Sequence, residues 1–326
     1  MQKPTITDIA NRLGITPSTV SRALAGSPRV KPSTREAVEA VAAEMGYERN
    51  VLAANLRKGT ASIVGIIVPR INREIFANII SSAEEVLNEA GYSVITCQTK
   101  ESVEQELRAF QALRRNQVAA VMVSHALDAP GSQSLETINN MGVPVIQFDR
   151  VDEQLPGAKV VSDNVGGAYA ATRQLIAAGY KKVGTLAGPQ SVSIFRERLE
   201  GYRKALREYG LDPNGYVYLE GILRESGREA AFKAMADGCD ALYCAGDYSA
   251  LGAMDAVRDA GLRIPEDFGI VGTANEAFTS LTSPSLSSLS QHPKEIGRAI
   301  AEAFLKGDTS RTVIPMDLII RQSSSR

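Results

Sequence analysis

From residue 63 onwards, short apolar runs alternate with longer amphipathic stretches, and this alternation constrains the fold of the chain most. The apolar runs have the length of β-strands and cover residues 63–68, 94–97, 119–123, 143–148, 182–187, 241–244 and 268–271. Helical stretches lie between most of these runs, among them residues 75–90, 166–178, 199–209 and 249–260. Such alternation predicts parallel sheets flanked by helices. The near-repeat of the order predicts two similar lobes, with a ligand in the cleft at the carboxyl ends of the strands.

Residues 1–60 differ from the rest of the chain in charge. They contain nine basic and five acidic residues, which gives this segment a net charge of +4. The whole chain of 326 residues has 36 Lys and Arg against 37 Asp and Glu, so the remaining residues carry −5. A small basic head on an acidic body is expected of a protein that binds nucleic acid with one end.

The sequence pattern of residues 1–46 predicts three short helices, and a tight turn joins the first two. Thr5 and Asp8 form a capping-box pair at the start of the first helix, and Gly14 is suited to ending it in a left-handed conformation. Thr16 is a natural N-cap for the second helix, with Pro17 at its first position. Two short helices joined by a turn that contains glycine predict a helix-turn-helix unit.

The second helix determines what this unit can bind. Its inward face is apolar and contains Val20, Ala23 and Leu24. Its solvent face is small and polar and contains Pro17, Ser18, Ser21 and Arg22. Such a face fits a DNA major groove, where an arginine can donate two hydrogen bonds to one guanine. The alternative is a three-helix bundle with an ordinary polar surface, but the caps, the turn and the charge together favour DNA binding.

Residues 47–60 contain a short segment with leucines beside cations. Asn50 can cap a helix that runs to about Lys58, although so short a helix is marginal in isolation. A leucine such as Leu56, next to Arg57 on a helix without a core of its own, can act as a wedge between base pairs in the minor groove. The alternative is a plain linker whose leucines pack on the next domain.

Several function classes lack their usual sequence features. The cysteines at 97, 239 and 244 form no CxxC pair, so we expect neither a zinc site nor a disulfide framework. The motifs GxGxxG, GxxxxGKS/T, HExxH and GxSxG do not occur, so we expect no enzyme activity and no cofactor. No apolar run reaches the ~18 residues that cross a bilayer. The N-terminus also lacks a signal-peptide pattern, so we expect a cytoplasmic protein.

The run TITDIANRLGITPSTVSRALAGSPRVKPSTREAVEAVAAEMGYERN closely resembles the DNA-binding head of the LacI/GalR family of bacterial transcription regulators. The elements TxxDIA, TVSRAL and NxxAxxL carry this resemblance, and the similarity continues to the C-terminus. It implies that Pro17, Ser18 and Arg22 read the major groove of each half-site. It also implies a hinge helix over residues 50–57, with Leu56 as the minor-groove lever and Ala53 beside it.

The predicted partner is a palindromic, double-stranded operator bound by a homodimer. The expected DNA contacts are Thr5, Thr16, Pro17, Ser18, Thr19, Ser21, Arg22, Asn50, Ala53, Leu56 and Arg57. Arg49 stands where the family usually has proline, which leaves the hinge entry less stiff and adds a candidate phosphate contact. The sequence ends with LIIRQSSSR, without a leucine heptad tail, which favours a dimer over a tail-linked tetramer.

The resemblance also implies the architecture of the body, which is periplasmic-binding-protein-like, with two doubly wound parallel-sheet lobes joined by three crossovers. The expected domains are a helix-turn-helix head at residues 1–46, a hinge helix at 47–60 and a two-lobed body at 61–326. We expect lobe 1 to span about 61–161 and 292–320. Lobe 2 is expected to span about 162–291 and 321–326.

Carried over position by position, the resemblance places a sugar-like small-molecule effector in the cleft. The expected contacts are Asn72, Ile75, Phe76, Asp149, Arg150, Asp163, Ser191, Ser193, Arg198, Asp247, Asn275 and Gln291. Arg198 is the expected ligand-gripping residue, because a guanidinium can bind two sugar hydroxyls or a carboxylate. Structural alternatives exist: Asp163 and Asp247 as helix caps, Phe76 as core, and Arg198 in an interdomain salt bridge.

Two departures from the family concern the chemistry of the effector. Gly246 stands where the family usually has asparagine, and residues 273–275 read TAN in place of the usual F/Y-D-D. Either the effector is not a typical free sugar, or Asn275 and Glu276 take over. The leading hypothesis is a ligand-responsive transcription repressor; a sugar-binding transport protein and an α/β enzyme are the alternatives.

Overall fold

The computed structural model describes residues 4–47, 62–127 and 132–326, with the side chains of residues 132–135 left out of that description. Two compact units divide the chain, Met1–Ala61 and Ser62–Arg326. No helix among the described residues is long and apolar enough to cross a membrane.

The first unit contains three helices around a small apolar core. The helices are α1 (Ile6–Leu13), α2 (Pro17–Leu24) and α3 (Pro32–Glu44). The capping box at α1 is present, since Thr5 Oγ1 accepts a hydrogen bond from the Asp8 amide and the Asp8 carboxylate accepts one from the Thr5 amide. Gly14 ends α1 at a φ of 64°, and Thr16 Oγ1 caps α2 by accepting from the Thr19 amide. The buried core consists of Ile9, Ala10, Val20, Ala23, Val30, Val38 and Ala42.

Lobe 1 of the second unit is built on a six-stranded parallel sheet. Its strands are β1 (Ile63–Val68), β2 (Ser93–Gln98), β3 (Ala120–Val123), β4 (Val145–Phe148), β5 (Lys159–Ser162) and β11 (Arg311–Ile314). Its helices are α4 (Glu74–Glu89), α5 (Val103–Arg115), α6 (Ser132–Asn139) and α11 (Pro293–Lys306). The strand order is β11-β5-β4-β3-β1-β2. Helices α4 and α11 cover one face of the sheet, and α5 and α6 cover the other.

Lobe 2 repeats this architecture with one antiparallel edge. Its strands are β6 (Val183–Leu186), β7 (Val217–Tyr218), β8 (Ala241–Cys244), β9 (Gly269–Thr273), β10 (Ser287–Ser290) and β12 (Asp317–Ile319). Its helices are α7 (Asn164–Ala177), α8 (Ser193–Glu208), α9 (Arg224–Ala236) and α10 (Asp247–Asp259). The strand order is β12-β10-β9-β8-β6-β7, and only β12 runs antiparallel, against β10.

The strands are buried on both faces, as parallel strands with helices on both sides must be. In β8, Ala241 and Tyr243 contact the helices α7 and α8, whereas Leu242 and Cys244 contact α9 and α10. The helices α9 and α10 approach each other at Gly252, where a Cβ would overlap the carbonyl oxygen of Arg224. This close approach fixes the helix pair against the back of the sheet.

The chain crosses between the lobes three times: after β5, after β10 and after β11. The predicted end of lobe 1 at residue 320 is wrong, because β12 (Asp317–Ile319) already belongs to the sheet of lobe 2. The strand β12 lies at the edge of that sheet, and its backbone N–H and C=O groups pair with those of β10. An apolar-polar pattern predicts that a strand exists but does not say which of two sheets it joins.

The strands β1 and β8 have the predicted bounds, and the other predicted strands and helices differ from them by a few residues at their ends. The largest difference is in α8, which begins at Ser193 rather than residue 199. Its first turn contains Ile194 and Phe195, which pack on Ala245 in an apolar cluster at the cleft. This start brings Arg198 into the second turn of the helix.

Candidate functional site

The exposed face of α2 lies beside α1 and forms the first candidate site. Pro17, Ser18 and Arg22 are exposed, and Ser21 is partly buried. Together with residues of α1, they line a shallow depression of about 400 Å³. The lining residues are small apart from Arg22 and Ile6 and include no acidic residue, so a DNA groove can approach them closely.

Arg22 is held against the first turn of its own helix. Its Nε donates to the Ser18 carbonyl oxygen at 3.1 Å, and its Nη2 lies 3.4 Å from Ser18 Oγ. No carboxylate among the described residues forms an ion pair with it, in contrast to Arg12, which pairs with Glu44. The guanidinium is therefore oriented by the helix but still has N–H groups to donate to a ligand.

The other predicted DNA contacts of the head are three threonines: Thr5 and Thr16 cap α1 and α2, and Thr19 lies in the first turn of α2. Thr5 and Thr16 are exposed and Thr19 is partly buried. Thr16 Oγ1 lies 2.9 Å from both Ser18 Oγ and Thr19 Oγ1, so these hydroxyls form one cluster at the start of α2. The hinge residues Asn50, Ala53, Leu56 and Arg57 lie outside the described residues.

The second candidate site is a cavity of about 280 Å³ between the two lobes, at the carboxyl ends of the strands. Seven of the predicted effector contacts line it: Ile75, Phe76, Asp149, Arg150, Arg198, Asp247 and Gln291. The topology brings them together, because β1, β4, β8 and β10 all end at this cleft. The cavity has the place and size of a small-molecule site.

Arg198 is the most deeply placed cation of the cavity, with 4% of its surface exposed. Its Nε donates to Asn164 Oδ1 at 2.9 Å, and its Nη1 donates to the carbonyl oxygen of Ala245 at 2.7 Å. No carboxylate in the described part of the chain forms an ion pair with it, so the salt-bridge alternative has no support. Its Nη2 has no hydrogen-bond partner there and remains available to a ligand.

Lobe 1 contributes a second group of charges. Asp149 follows β4 at a φ of 57° and is 4% exposed. Its carboxylate accepts hydrogen bonds from Ser124 at 3.3 Å and from Gln291 at 3.5 Å. Next to it, Arg150 is paired with Glu101 at 2.6 Å. The positive φ of Asp149 is a strained conformation of the kind that concentrates at functional sites.

Asp247 begins α10 and is buried beneath the cavity. Its Oδ1 accepts from Ser288 Oγ at 2.6 Å and its Oδ2 from the Glu276 amide at 2.8 Å. Burial raises the pKa of Asp247 to about 7, although both hydrogen bonds favour the ionised form. Burial also raises the pKa of Glu276, which lies next to it in the cavity wall.

The rim of the cavity carries direct contacts between the lobes. The Arg73 guanidinium of lobe 1 stacks on the Tyr248 ring of lobe 2, 3.6 Å from the ring centroid. The Glu74 carboxylate accepts from the Ala277 amide at 2.5 Å, and the Glu74 amide donates to Glu276 at 3.4 Å. Glu276 of lobe 2 thus caps the start of α4, and Glu74 of lobe 1 caps the short 3-10 helix Ala277–Ser280. These contacts join the two lobes on this side of the cleft.

The comparisons with known proteins agree along the whole chain. Residues 5–50 match the family described as bacterial regulatory proteins, lacI family, and residues 172–324 match the periplasmic binding protein-like domain. The transcriptional repressor PurR of Pasteurella multocida is 31% identical over 328 residues, which cover 98% of each chain. The chain belongs to the lacI family of bacterial regulatory proteins.

Solved structures show the same relationship. The lac repressor dimer bound to operator and the anti-inducer ONPF superposes with a TM-score of 0.89 and 25% identity, covering all of both chains. The complex of the transcriptional regulator CelR with cellobiose gives a TM-score of 0.74 and 28% identity, covering 98% of this chain and 99% of the other. The protein is a DNA-binding transcription regulator with a periplasmic-binding-protein-like body, and it is not an enzyme.

Five predicted effector contacts of this regulator do not line the cavity. Asn72 is exposed, and Asp163 is the N-cap of α7, where it accepts from the Gly166 amide. Ser191 and Ser193 line a neighbouring cavity of about 340 Å³ at another opening of the cleft. Asn275 accepts a hydrogen bond from Arg321 at 2.8 Å, which turns it to the C-terminal segment. Of the two residues considered as replacements for the family's aspartates, only Glu276 lines the cavity.

Sequence reasoning missed several lining residues, which are Arg70, Arg73, Glu101, Leu127, Ile194, Phe195, Ile222 and Tyr248. Arg70 and Glu101 each follow a predicted strand, so their position at the carboxyl ends of β1 and β2 was a usable signal. Ile222 gives no such signal, because it lies in the loop before α9 and follows no predicted strand.

Proposed function

We propose that this regulator binds a palindromic operator as a homodimer and that a small metabolite, a sugar or a related compound, changes its operator affinity from the interlobe cavity. The arrangement of Arg198 carries the effector half of this proposal. The guanidinium of Arg198 is buried, is oriented by two hydrogen bonds and has no partner at Nη2 among the described residues. Since it also lines a cavity, it is prepared for a polar ligand.

For the operator half, we propose that Pro17, Ser18 and Arg22 enter the major groove, with Ser21 and the threonines 5, 16 and 19 contacting the edges and backbone. Pro17, Ser18 and Arg22 are exposed, and no carboxylate in the described part of the chain pairs with Arg22, which supports this assignment. We further propose that Asn50, Ala53, Leu56 and Arg57 form a hinge helix in the minor groove, where Leu56 separates base pairs. Since the operator is bacterial chromosomal DNA, the proposed compartment is the cytoplasm.

The link between cleft and operator follows from the two-lobe architecture. A ligand shifts DNA affinity only if it binds two arrangements of the protein with different affinity. A compound held by Arg198 of lobe 2 and by the lining residues Ile75 and Phe76 of lobe 1 favours the closed arrangement over an open one. Closure changes the surface that each body presents to its dimer partner, and therefore the spacing of the two heads.

One experiment tests both halves. Fragments retained by the purified protein are selected from random DNA, and the selection is repeated in the presence of a panel of metabolites. We expect a two-fold symmetric site to be enriched and at least one metabolite to change its retention. An enriched sequence without two-fold symmetry would contradict dimeric binding, and a site insensitive to every metabolite would contradict effector control.

A further inference from the structure

Most polar side chains around the interlobe cavity already have partners within the protein. Arg70 and Arg150 both donate to Glu101, at 3.3 and 2.6 Å. Both carboxylate oxygens of Asp247 accept hydrogen bonds, and both of Asp149 do so as well. A ligand that needs many hydrogen bonds, such as a free sugar, therefore meets few groups that are ready to provide them.

Two positions in the cavity wall carry no polar side chain where the family usually has a polar residue. Gly246 and Ala274 both line the cavity. Gly246 has an extended backbone with a φ of −163°, so its conformation does not require glycine. A Cβ built there meets only Ser249 Oγ, at 3.9 Å. The missing side chain thus leaves open space in the cavity, and burying sugar hydroxyls against it without partners would cost free energy.

Two arginines of the cavity wall, one from each lobe, have donor groups without a hydrogen-bond partner among the described residues. Arg198 of lobe 2 has an Nη2 without a partner among the described residues. Arg150 of lobe 1 donates to the Glu101 carboxylate through both Nη atoms, and its buried Nε has no partner there. Two guanidinium groups from opposite lobes line the same cavity. An anion between them would receive charge-assisted hydrogen bonds, which are stronger than those between neutral groups.

Part of the wall is apolar, and both lobes contribute to this part. Ile75 and Phe76 of lobe 1 lie opposite an apolar cluster of lobe 2 that includes Ile194 and Phe195, with Ile222 packed against it. Both phenylalanines are nearly buried, at 3% and 5% exposure. Such a wall favours the burial of apolar ligand surface.

We propose that the effector is an organic anion with an apolar body, whose charged group binds between Arg198 and Arg150 and whose body fills the space beside Gly246. This inference rests on the proposed role of the cleft as the effector site and narrows the chemistry of its ligand. Because a guanidinium of each lobe binds it, the anion also favours the closed arrangement of the two lobes.

Isothermal titration of the full-length protein with four probes separates charge from polarity. The probes are cyclohexanecarboxylate, cyclohexylmethanol, glucose 6-phosphate and glucose. We expect cyclohexanecarboxylate to bind most tightly of the four. Substitution Arg198→Gln should weaken its binding about ten- to a hundredfold, since a charged hydrogen bond is lost. It should weaken the binding of the neutral cyclohexylmethanol much less, since no pairing of opposite charges is lost. Glucose binding most tightly, or no binding of cyclohexanecarboxylate at millimolar concentration, would overturn the proposal.

Two further variants keep the test decisive. Arg207 lies on the same helix as Arg198 but pairs with Glu200 at the surface, so Arg207→Gln should bind all probes as the wild type does. Gly246→Asn should weaken cyclohexanecarboxylate binding by filling its space, even if Arg198→Gln fails to fold. Unchanged binding to Gly246→Asn contradicts the assignment of that space to the ligand body.

The outcomes also separate this inference from the proposed function. Tight binding of cyclohexanecarboxylate that leaves operator affinity unchanged would support the ligand chemistry and contradict the effector role of the cleft. Glucose binding that changes operator affinity would support the effector role and contradict the ligand chemistry.

Discussion

Arg22 is held by hydrogen bonds to its own helix and still has N–H groups that can bind a ligand. Its Nε is fixed to the Ser18 carbonyl oxygen, while no carboxylate in the described residues neutralises it. The residue therefore presents a charged donor group at a defined place on α2, which is the requirement for reading a base edge rather than only a phosphate.

The substitution Arg22→Ala should cost about 1–3 kcal/mol of operator binding per half-site and relax the base preference there. A phosphate-binding arginine would behave differently, because its loss weakens all sequences equally. Binding of the wild type and the variant to the selected operator and to its single-base variants distinguishes the two. Unchanged affinity and unchanged base preference would exclude Arg22 from recognition.

Asp247 makes the stability of the body depend on pH. The pKa of its carboxyl group is about 7 in the folded protein, against an ordinary value of 3.8. Between about pH 4 and 7 the folded state holds a proton that the unfolded state has released. The free energy of unfolding therefore falls as the pH rises through this window, by up to about 1.4 kcal/mol per unit, and the contribution is constant above it.

The variant Asp247→Asn should lose this part of the pH dependence. Its amide oxygen can accept from the Glu276 amide, and its amide nitrogen can donate to the Ser288 hydroxyl. Calorimetric unfolding at several pH values measures the slope for the wild type and the variant. Asp267→Asn is the matched control, since bonds from Arg263 lower the pKa of Asp267 to about 2 and keep it ionised across the window. Parallel profiles of wild type and Asp247→Asn would refute the assignment.

At the scale of secondary structure, helix pairs depend on close approaches that a sequence pattern does not reveal. Gly252 of α10 lies where any Cβ would overlap the Arg224 carbonyl oxygen of α9. In an isolated helix, glycine is unfavourable by roughly 0.8–1 kcal/mol relative to alanine. Here the steric overlap outweighs that preference, because the helices can separate only by disturbing the sheet packing behind them.

We expect Gly252→Ala to destabilise the body by about 1–3 kcal/mol, in the range of overpacked cores. Gly246→Ala is the matched control, because its backbone is extended and its added Cβ meets only Ser249 Oγ at 3.9 Å. Chemical denaturation of both variants gives the comparison. Equal stability of Gly252→Ala and the wild type would show that α9 and α10 can move apart without cost.

At the scale of the whole molecule, the effector response depends on contacts that join the lobes. The stack of Arg73 on Tyr248 and the reciprocal caps of Glu74 and Glu276 close one side of the cleft. A ligand between Arg150 and Arg198 would add a further connection deep in the cavity. The closed arrangement is then favoured by both sets of contacts.

Arg198→Gln should retain operator binding and lose the effector response. Every proposed DNA contact lies in the head or the hinge, so a change in lobe 2 alters none of these residues. Operator titrations with and without the metabolite that emerges from the selection measure the response, with Arg207→Gln as the control on the same helix. A variant with the same effector-induced change in affinity as the wild type would remove Arg198 from the mechanism.

The sequence by itself determined those features that depend on neighbouring residues. The capping box of Thr5 and Asp8, the left-handed Gly14 and the inward stripe of α2 follow from local rules, and the structure has each of them. The alternation of strands and helices was sufficient to predict two parallel α/β lobes, because strands that are buried on both faces are apolar throughout. The family motif then pointed to Arg198, which is buried and lines the cavity, and its role in effector binding stays a prediction.

Only the tertiary structure decided which side chains face the cavity. Asp163 and Asn275 carry suitable polar groups, but one caps α7 and the other is held by Arg321. Glu101 and Tyr248 enter the cavity from strands and helices far apart in the sequence. The lobe assignment of β12 likewise depended on a pairing with β10. The fold determines which hydrogen-bond partners come within reach of a polar side chain. Because these partners are often distant in sequence, a local sequence pattern does not predict whether the side chain faces the cavity.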